Sequence, residues 1–79
     1  MPTQAYVFIT TTNPGPRLAC RQIRRLSGVL RADALFGGPP VVAIVEGADL
    51  AAMDAVIDAI VALDSVIDTE THVIRPIDG

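Results

Sequence analysis

Two clusters of glycine and proline limit what this chain can fold into. They are "NPGP" at residues 13–16 and "GGPP" at residues 37–40. Neither a β-ladder nor a helix interior continues through such a cluster, because proline lacks a backbone N–H and glycine weakens regular structure. The clusters therefore divide the chain into short segments, and its 79 residues leave room for one small domain.

The segments on either side of the first cluster predict a strand and a helix. Residues 4–12 are rich in β-branched and aromatic side chains, which is typical of a strand. Residues 16–27 have the apolar spacing of a helix, with Pro16 suited to its first turn. Gly28 is expected to cap the C-terminal end of this helix.

The rest of the chain predicts two strands, a helix and a closing strand. Residues 29–36 and 41–47 predict strands, and the unbroken apolar run of the second favours burial on both faces. Asp49 is placed to cap a helix that runs through about Leu63. The apolar stripe of this helix comprises Met53, Val56, Ile57, Ile60 and Leu63. Residues 66–75 predict the last strand.

The resulting order, βαββαβ, predicts a ferredoxin-like α+β fold. In this fold two helices cover one face of a four-stranded antiparallel sheet. An internal echo supports it, since "LSGVLRADAL" at 26–35 and "LDSVIDTETH" at 63–72 each run from a helix end through a tight turn into a strand. We therefore interpret the two halves as copies of one βαβ unit.

The predicted fold leaves one apolar face of the sheet uncovered. A chain of this size buries only about 60% of the surface that its unfolded form exposes, and its single cysteine, Cys20, excludes an internal disulfide. Val7 and Ile44 are expected at the uncovered face, where a charged residue could not be buried. Two sheets packed face to face would bury it, so we expect a homodimer of the α/β-barrel type.

Composition excludes several functional classes. The formal net charge is −3, and three aromatic residues in total are too few for the basic, aromatic surface that binds nucleic acid. The apolar runs are shorter than the roughly 20 residues that span a bilayer, so we expect a cytoplasmic protein without membrane contact. One histidine and one cysteine do not make a metal site, and we expect neither a metal nor a cofactor.

Several stretches resemble the effector-binding (RAM) domain of the Lrp/AsnC, or feast/famine, transcriptional regulators. They are "AYVFITT", "LSGV", "LFGGPPVVAIVEG" and "VIDTET", which occur in the family's order across residues 4–75. The resemblance implies a module of transcription regulation that binds an amino-acid effector and forms dimers or a ring of dimers. It also implies that full-length Lrp/AsnC regulators are candidate partners.

The sequence departs from this family in two respects. Full-length members carry an N-terminal helix-turn-helix domain, whereas the first strand here begins within a few residues of Met1. We therefore expect residues 1–79 to be a stand-alone ligand-binding domain without a DNA-binding domain. Pro40 also stands where the family has an aspartate, which predicts a changed mode of amino-acid binding.

Four residues form the predicted ligand site, Gly37, Gly38, Thr69 and Thr71. The glycines can present backbone N–H groups to a carboxylate, and hydroxyls two apart on a strand point to the same side. In the family, these turn and strand positions lie near an effector pocket between dimers. The alternative is that the glycines only form a hairpin and that the threonines are only good strand formers.

The other face of the last strand carries Asp68, Glu70 and the only histidine, His72. Glu70 and His72 could form an acid/base couple, but same-face neighbours on a strand lie roughly 7 Å apart, which is long for a direct bond. A small monooxygenase-like or isomerase-like enzyme, with His72 as its base, remains an alternative. A pure assembly partner without a ligand is another. We favour a binding module that is not an enzyme.

The two predicted helices carry opposite charges. The first has Arg17, Arg21, Arg24 and Arg25, and the second has Asp49, Asp54, Asp58 and, at its end, Asp64. One interpretation is that these faces are simply solvated; the other is that they meet oppositely charged helices of neighbouring dimers and so assemble a ring. Cys20, near the apolar face of the first helix, is expected to be a buried thiol.

Overall fold

The computed structural model describes residues 2–12 and 15–77, and it has the predicted element order. Asn13 and Pro14 of the first glycine and proline cluster lie outside the described residues. The elements are β1 (Thr3–Thr11), α1 (Pro16–Arg24), β2 (Val29–Ala34), β3 (Val41–Gly47), α2 (Leu50–Val61) and β4 (Val66–Val73). The four strands form one antiparallel sheet in the order β2-β3-β1-β4, which confirms the ferredoxin-like α+β fold.

The pairing register fixes which residues share a face of the sheet. Val7 of β1 lies opposite Ala43 of β3 on one side and Thr71 of β4 on the other. Paired residues in a sheet point to the same face, and successive residues alternate between faces. Tyr6 pairs with Ile44 on one side and with His72 on the other. The even-numbered residues of β1 therefore share a face of the sheet with Ile44 and His72.

The hydrophobic core lies between the sheet and the two helices. Its members come from every element except β4. They are Ala5, Val7, Ile9, Ala19, Cys20, Ile23, Ala32, Val41, Ala43, Val45, Met53, Ile57 and Ile60. Val7 is fully buried here, so its expected position on the uncovered face was wrong, and only Ile44 lies there.

The N-terminus of α2 is capped as predicted. The carboxylate of Asp49 accepts a hydrogen bond from the backbone N–H of Ala52 at 2.8 Å, which satisfies one of the free donors of the first turn. The apolar stripe also follows the prediction, since Met53, Ile57 and Ile60 are buried. A side-chain cap therefore begins this helix, and packing against the sheet holds it.

Helix α1 ends earlier than the sequence predicts. It stops at Arg24, where the backbone N–H groups of Arg25 and Leu26 bond to carbonyls three residues back. These shorter bonds tighten the last turn and end the helix before Ser27. Gly28 is not the cap itself but lies in the following turn with φ of 90°, a conformation that favours glycine.

The same turn hydrogen bond occurs in both halves of the chain. The backbone N–H of Val29 donates to the carbonyl of Leu26 at 3.3 Å, and that of Val66 donates to the carbonyl of Leu63 at 3.0 Å. All four of these side chains pack against the core. The structure thus confirms that "LSGV" and "LDSV" are equivalent connections from a helix to a strand.

Candidate functional site

One face of the sheet carries no helix, and we call it the open face. Its residues follow from the register in rows across the strands. The rows are Arg31–Ile44–Tyr6–His72, Asp33–Val42–Phe8–Glu70 and, at the end nearest the β2–β3 loop, Thr10–Asp68. The centre of this face is apolar and its edges are charged.

The apolar centre of the open face is only partly shielded within one chain. Phe8, Val42 and Ile44 are half-buried, and Tyr6 is 44% exposed. Strand β3 was expected to be buried on both faces. Its helix side is buried, at Val41, Ala43 and Val45, whereas its other side is only half-buried. A contiguous apolar surface of this kind is typical of an interaction site.

His72 lies on the open face beside Phe8 and Glu70. Its ring meets that of Phe8 edge to face, with the centroids 5.3 Å apart and the planes at 78°. Its Nε2 lies 3.5 Å from Oε1 of Glu70, closer than the strand spacing suggested because both side chains lean together. This separation exceeds an ordinary hydrogen bond, and both side chains are largely exposed. The pair is a loose contact rather than a positioned acid/base couple.

Asp33 connects two arginines at the β2 edge. Nε of Arg31 donates to Oδ2 of Asp33 at 2.7 Å, and this hydrogen bond raises the pKa of Arg31. A guanidinium nitrogen of Arg24 lies 3.6 Å from the other carboxylate oxygen. Nε of Arg24 also donates to the backbone carbonyl of Ala32 at 2.8 Å, which holds this side chain against the edge of the sheet.

A cleft of about 310 Å³ opens where the β2–β3 loop approaches β4. It is lined by Phe8, Thr10, Pro39, Asp68, Thr69 and Glu70. We call it the loop cleft. The two carboxylates, the side chain of Thr10 and the ring of Phe8 share one face of the sheet here, and Oδ1 of Asp68 accepts a hydrogen bond from the backbone N–H of Thr69 at 2.9 Å. Such a set of groups can accept hydrogen bonds from an ammonium ion while packing against an apolar side chain.

Of the four predicted site residues, the two glycines lie on the β2–β3 loop beside the loop cleft. Gly37 has φ of 84°, a backbone conformation that is strained for any residue with a side chain. A methyl group added at Gly37 or Gly38 would meet nothing within 4 Å, so the loop is open to approach on this side. The loop residue that reaches the cleft itself is Pro39.

The two threonines share one side of β4, as predicted, but they line different cavities. They pair with Ile9 and Val7, whose side chains lie beneath the helices. Thr69 is half-buried and lines the loop cleft, whereas Thr71 is exposed and lines a groove of about 650 Å³ between α2 and β4. Within one chain the four residues therefore do not form a single pocket, and the predicted site stays a prediction.

Phe8 and Thr10 were not predicted as cleft residues, whereas Asp68 and Glu70 do lie on the opposite face of β4 from the two threonines, as predicted. The signal that would have found Phe8 and Thr10 is the register of β4 against β1. In that register Glu70 lies opposite Phe8, and Asp68 lies opposite Thr10. Such pairing depends on contacts across the chain and leaves no local mark in the sequence.

Other candidate chemistry is limited in the described residues. The thiol of Cys20 is buried and lies 3.4 Å from the carbonyl oxygen of Ala32, as expected for a small core side chain. Residues 2–12 and 15–77 contain no cluster of metal-ligating side chains. Neither α1 nor α2 is long and apolar enough to cross a membrane.

Several solved structures share this fold over nearly the whole chain. A protein from Thermus thermophilus is 24% identical with a TM-score of 0.88, and the match covers 98% of each chain. AsnC of Escherichia coli is 21% identical with a TM-score of 0.82, covering 98% of this chain and 54% of that one. A transcriptional regulator from Neisseria meningitidis, solved with L-Met, is 18% identical with a TM-score of 0.79, covering 94% of this chain and 50% of that one.

This chain therefore spans about half the length of the two regulators that it matches. At these identities, the likeness shows a shared fold. None of the curated proteins matches the sequence. The family model of the Lrp/AsnC ligand binding domain, however, matches residues 4–75. The chain thus belongs to the Lrp/AsnC ligand binding domain family.

Proposed function

We propose that this chain binds a free amino acid and assembles through its open face, as an effector-sensing module of transcription regulation. The observation that carries the ligand proposal is the loop cleft. Asp68, Glu70, Thr10 and Thr69 line it, together with Pro39 of the β2–β3 loop. The family's description as a ligand binding domain supports this proposal, and so does the regulator from Neisseria meningitidis solved with L-Met.

The cleft suggests how an amino acid is held without the aspartate that the resemblance expects in the loop. Pro40 occupies that position and provides neither a carboxylate nor an N–H. In our proposal Asp68 or Glu70 accepts the ammonium group, and the N–H groups of Gly37 and Gly38 face the carboxylate. The ring of Phe8 packs against the apolar part of the ligand.

A second copy of the chain completes this site in our proposal. Gly37 and Gly38 are exposed, and Thr71 lies in a different groove from Thr69. A ligand that contacts all four predicted residues must therefore bridge two chains. Effector binding and assembly are then linked, since a ligand that binds only the assembled form also stabilises it.

The ligand proposal is tested with the 20 common amino acids in a thermal-shift screen, followed by calorimetry on any that raise the melting temperature. Exchanging Thr69 and Thr71 for Val keeps the strand shape and removes both hydroxyls. Each lost hydrogen bond costs about 0.5–1.5 kcal/mol, so the double variant should weaken binding by up to roughly a hundredfold. The matched control is Thr3→Val, at the end of β1 that lies away from Thr10 and the loop cleft.

Two further variants separate the ammonium site from the hydroxyls. Asp68→Asn and Glu70→Gln keep size and shape but remove a charge, so at least one of them should weaken binding about tenfold or more. Equal affinity in the double valine variant would contradict the threonine assignment. Equal affinity in both amide variants would remove the loop cleft as the ammonium site.

The assembly proposal concerns the open face, where Tyr6, Phe8, Val42 and Ile44 form the apolar centre. Two copies packed through this face bury it, as face-to-face sheets do. Ile44→Asp places a charge in the middle of the contact and should give a monomer or insoluble protein. Ile77→Asp, at a position after β4 that is 81% exposed, is the matched control and should remain a dimer. A wild-type monomer at micromolar concentration in light scattering would contradict this proposal.

A further inference from the structure

We propose that the space between α1 and the free edge of β2 binds a small organic phosphate with a flat ring, of the class of nucleoside diphosphates. Three arginines hold the phosphates, and an exposed aromatic ring stacks on the base. We call this space the arginine cleft; its lining residues are Arg17, Cys20, Arg21, Arg24, Asp33 and Ala34. It shares no residue with the loop cleft, so it is a second site and not a part of the first.

The helical spacing of α1 gathers the arginines of the cleft on one face. Arg17, Arg21 and Arg24 lie at i, i+4 and i+7 of this helix, so their side chains project on the same side. Cys20 belongs to the same face, and its small side chain is buried. The arginines therefore border a recess of about 330 Å³, within the roughly 300–1,000 Å³ typical of sites for small molecules.

One arginine of the cleft is held in place before any ligand binds. Nε of Arg24 donates to the carbonyl of Ala32 at 2.8 Å, and one of its terminal nitrogens lies 3.6 Å from Oδ1 of Asp33. Asp33 is itself held by Nε of Arg31 at 2.7 Å. These contacts fix the plane of the Arg24 guanidinium at the edge of the sheet. A group that is already fixed loses less freedom when a ligand binds, which favours binding.

The other two arginines of the cleft are exposed and available. Among residues 2–12 and 15–77, no carboxylate lies within ion-pair distance of Arg17 or Arg21. Asp33, the carboxylate that lines the cleft, is shared between Arg24 and Arg31. The cleft therefore has positive charge in excess. A guanidinium forms two parallel hydrogen bonds with a phosphate, so these side chains suit a phosphate ligand in shape as well as in charge.

Positive charge is concentrated around the cleft in a chain that is acidic as a whole. Residues 16–34 carry five arginines and one aspartate, a formal charge of +4, whereas the whole chain has a charge of −3. A local excess of this kind attracts a small multivalent anion. The acidic remainder of the chain repels a long polyanion such as DNA, whose binding depends on many phosphate contacts. The charge distribution thus favours a small phosphate ligand.

An apolar space adjoins the arginine cleft and indicates the rest of the ligand. This second cleft, of about 440 Å³, is lined by Pro16, Arg17, Ala34, Leu35 and Phe36. It shares Arg17 and Ala34 with the arginine cleft, so the two spaces are neighbours. The ring of Phe36 is fully exposed, and Leu35 is 42% exposed. An exposed aromatic ring beside guanidinium groups matches a ligand that joins phosphates to a base, because aromatic rings stack on bases.

The identity of the ligand is tested by calorimetry in about 100 mM salt. The probes are the diphosphates of adenosine, guanosine, cytidine and uridine, together with inorganic pyrophosphate and free adenosine. At least one nucleoside diphosphate should bind about tenfold more tightly than pyrophosphate, which has no base to stack. Adenosine should not bind measurably, because it has no phosphate. Failure of all four nucleotides overturns the inference, and so does a pyrophosphate affinity equal to that of the best nucleotide.

The role of the arginines is tested with a pair of charge-matched double variants. Arg17→Gln with Arg21→Gln should weaken binding of the best nucleotide about a hundredfold, roughly tenfold for each lost charged hydrogen-bonding group. The control is Arg25→Gln with Arg75→Gln, which removes the same charge outside the cleft and should change the affinity by no more than about twofold. An equal loss in both double variants would show that binding follows net charge alone, which overturns the site. If the first double variant does not fold by circular dichroism, its two single variants replace it.

The role of the aromatic ring is tested with Phe36→Ala. This variant should bind the nucleotide about tenfold more weakly and bind pyrophosphate as the wild type does, because only the base contacts the ring. The matched control is Ile77→Ala, at a position that is 81% exposed and far along the chain from both clefts. It should leave both affinities unchanged. Unchanged nucleotide affinity in Phe36→Ala overturns the stacking contact.

The location of the site is tested by heteronuclear NMR of isotopically labelled protein. The nucleotide should shift the backbone N–H signals of residues 16–24 and 33–36, and leave those of residues 68–70 in the loop cleft unchanged. Exchanging Thr69 and Thr71 for Val should not alter nucleotide affinity, so failure of this site and failure of the amino-acid site are distinguishable. Shifts confined to the loop cleft would overturn the inference.

Discussion

The two halves of this chain share a framework and differ in charge. When the turns are matched by their common hydrogen bond, Ile23 corresponds to Ile60, Leu26 to Leu63 and Val29 to Val66. At the same alignment Arg17 corresponds to Asp54 and Arg21 to Asp58. These apolar positions are thus equivalent, and two exposed charged positions are inverted.

This difference separates what the fold requires from what it tolerates. Burying an isoleucine stabilises a domain by about 1.5–3 kcal/mol, whereas an exposed charge contributes less than about 1 kcal/mol. A repeated βαβ unit must therefore keep its apolar side chains and its turn, while its outer helix face is free to change. Because of this inversion, the outer face of α1 is positively charged and the outer face of α2 is negatively charged.

The strongest test of the shared framework is Ile23→Ala compared with Ile60→Ala. Both side chains are fully buried between the sheet and a helix. Each truncation should lower the free energy of unfolding by about 2–5 kcal/mol, because it removes apolar contacts and leaves a cavity. In a domain this small, a loss at the upper end of that range prevents folding in the absence of an assembly partner. Urea denaturation at a fixed protomer concentration measures both.

The matched control is Ile67→Ala, the same chemical change at a position that is 63% exposed. It should alter the free energy of unfolding by no more than about 0.5 kcal/mol. A loss below about 1 kcal/mol at one of the buried isoleucines but not at the other would show that the halves are not equivalent in their packing.

The second test concerns a turn position at which the sign of φ differs between the halves. Gly28 has positive φ, whereas its counterpart Ser65 does not. A methyl group on Gly28 would also clash with Cγ2 of Val56. Gly28→Ala should therefore cost about 1–3 kcal/mol in the free energy of unfolding.

Ser65→Ala has a smaller expected cost. It removes the hydrogen bond from Oγ of Ser65 to Oε1 of Gln22, worth about 0.5–1.5 kcal/mol. Thermal unfolding of the two variants under the same buffer measures the comparison. A Gly28→Ala protein as stable as the wild type would mean that the first turn tolerates the backbone geometry of the second.

Gly28 also illustrates how far the sequence could predict this fold. The glycine and proline clusters and the apolar spacing are local signals, so the element order and the buried stripe of α2 could be predicted from them. The end of α1 could not, because a glycine after a helical pattern does not reveal whether it caps the helix or lies in the turn beyond it. That choice depends on contacts of Gly28 with Val56 and Glu46, which are distant in sequence.

The candidate site was less predictable than the fold. Alternation along β4 was enough to separate the face of Thr69 and Thr71 from that of Glu70 and His72. It could not show that Thr69 and Thr71 line different cavities, since that depends on where the β2–β3 loop and α2 lie. The contribution of Phe8 to the loop cleft depends in the same way on the pairing of β1 with β4.

A third prediction compares how the two helices begin. Asp49 caps α2, whereas Gly15 at the start of α1 has no side chain that could do so. Asp49→Ala should lower the free energy of unfolding by about 1 kcal/mol, since it leaves the N–H of Ala52 without its partner. Asp64→Ala, at an exposed position after α2, is the matched control and should have little effect. Equal stability of both variants in urea would show that packing alone fixes the start of α2.

The smallest effect is expected for neutralising the inverted charges, and it tests the comparison most directly. Arg17→Gln with Arg21→Gln, and Asp54→Asn with Asp58→Asn, should each change the free energy of unfolding by no more than about 0.5 kcal/mol in about 1 M salt, where exposed charges are screened. At low salt the two pairs should diverge slightly, because losing arginines from a chain of net charge −3 increases its self-repulsion, and losing aspartates reduces it. Urea denaturation at both salt concentrations measures this. A loss above about 1 kcal/mol in high salt would show that these charges stabilise the fold within one chain. The fold would then require a particular charge on each helix instead of tolerating either sign.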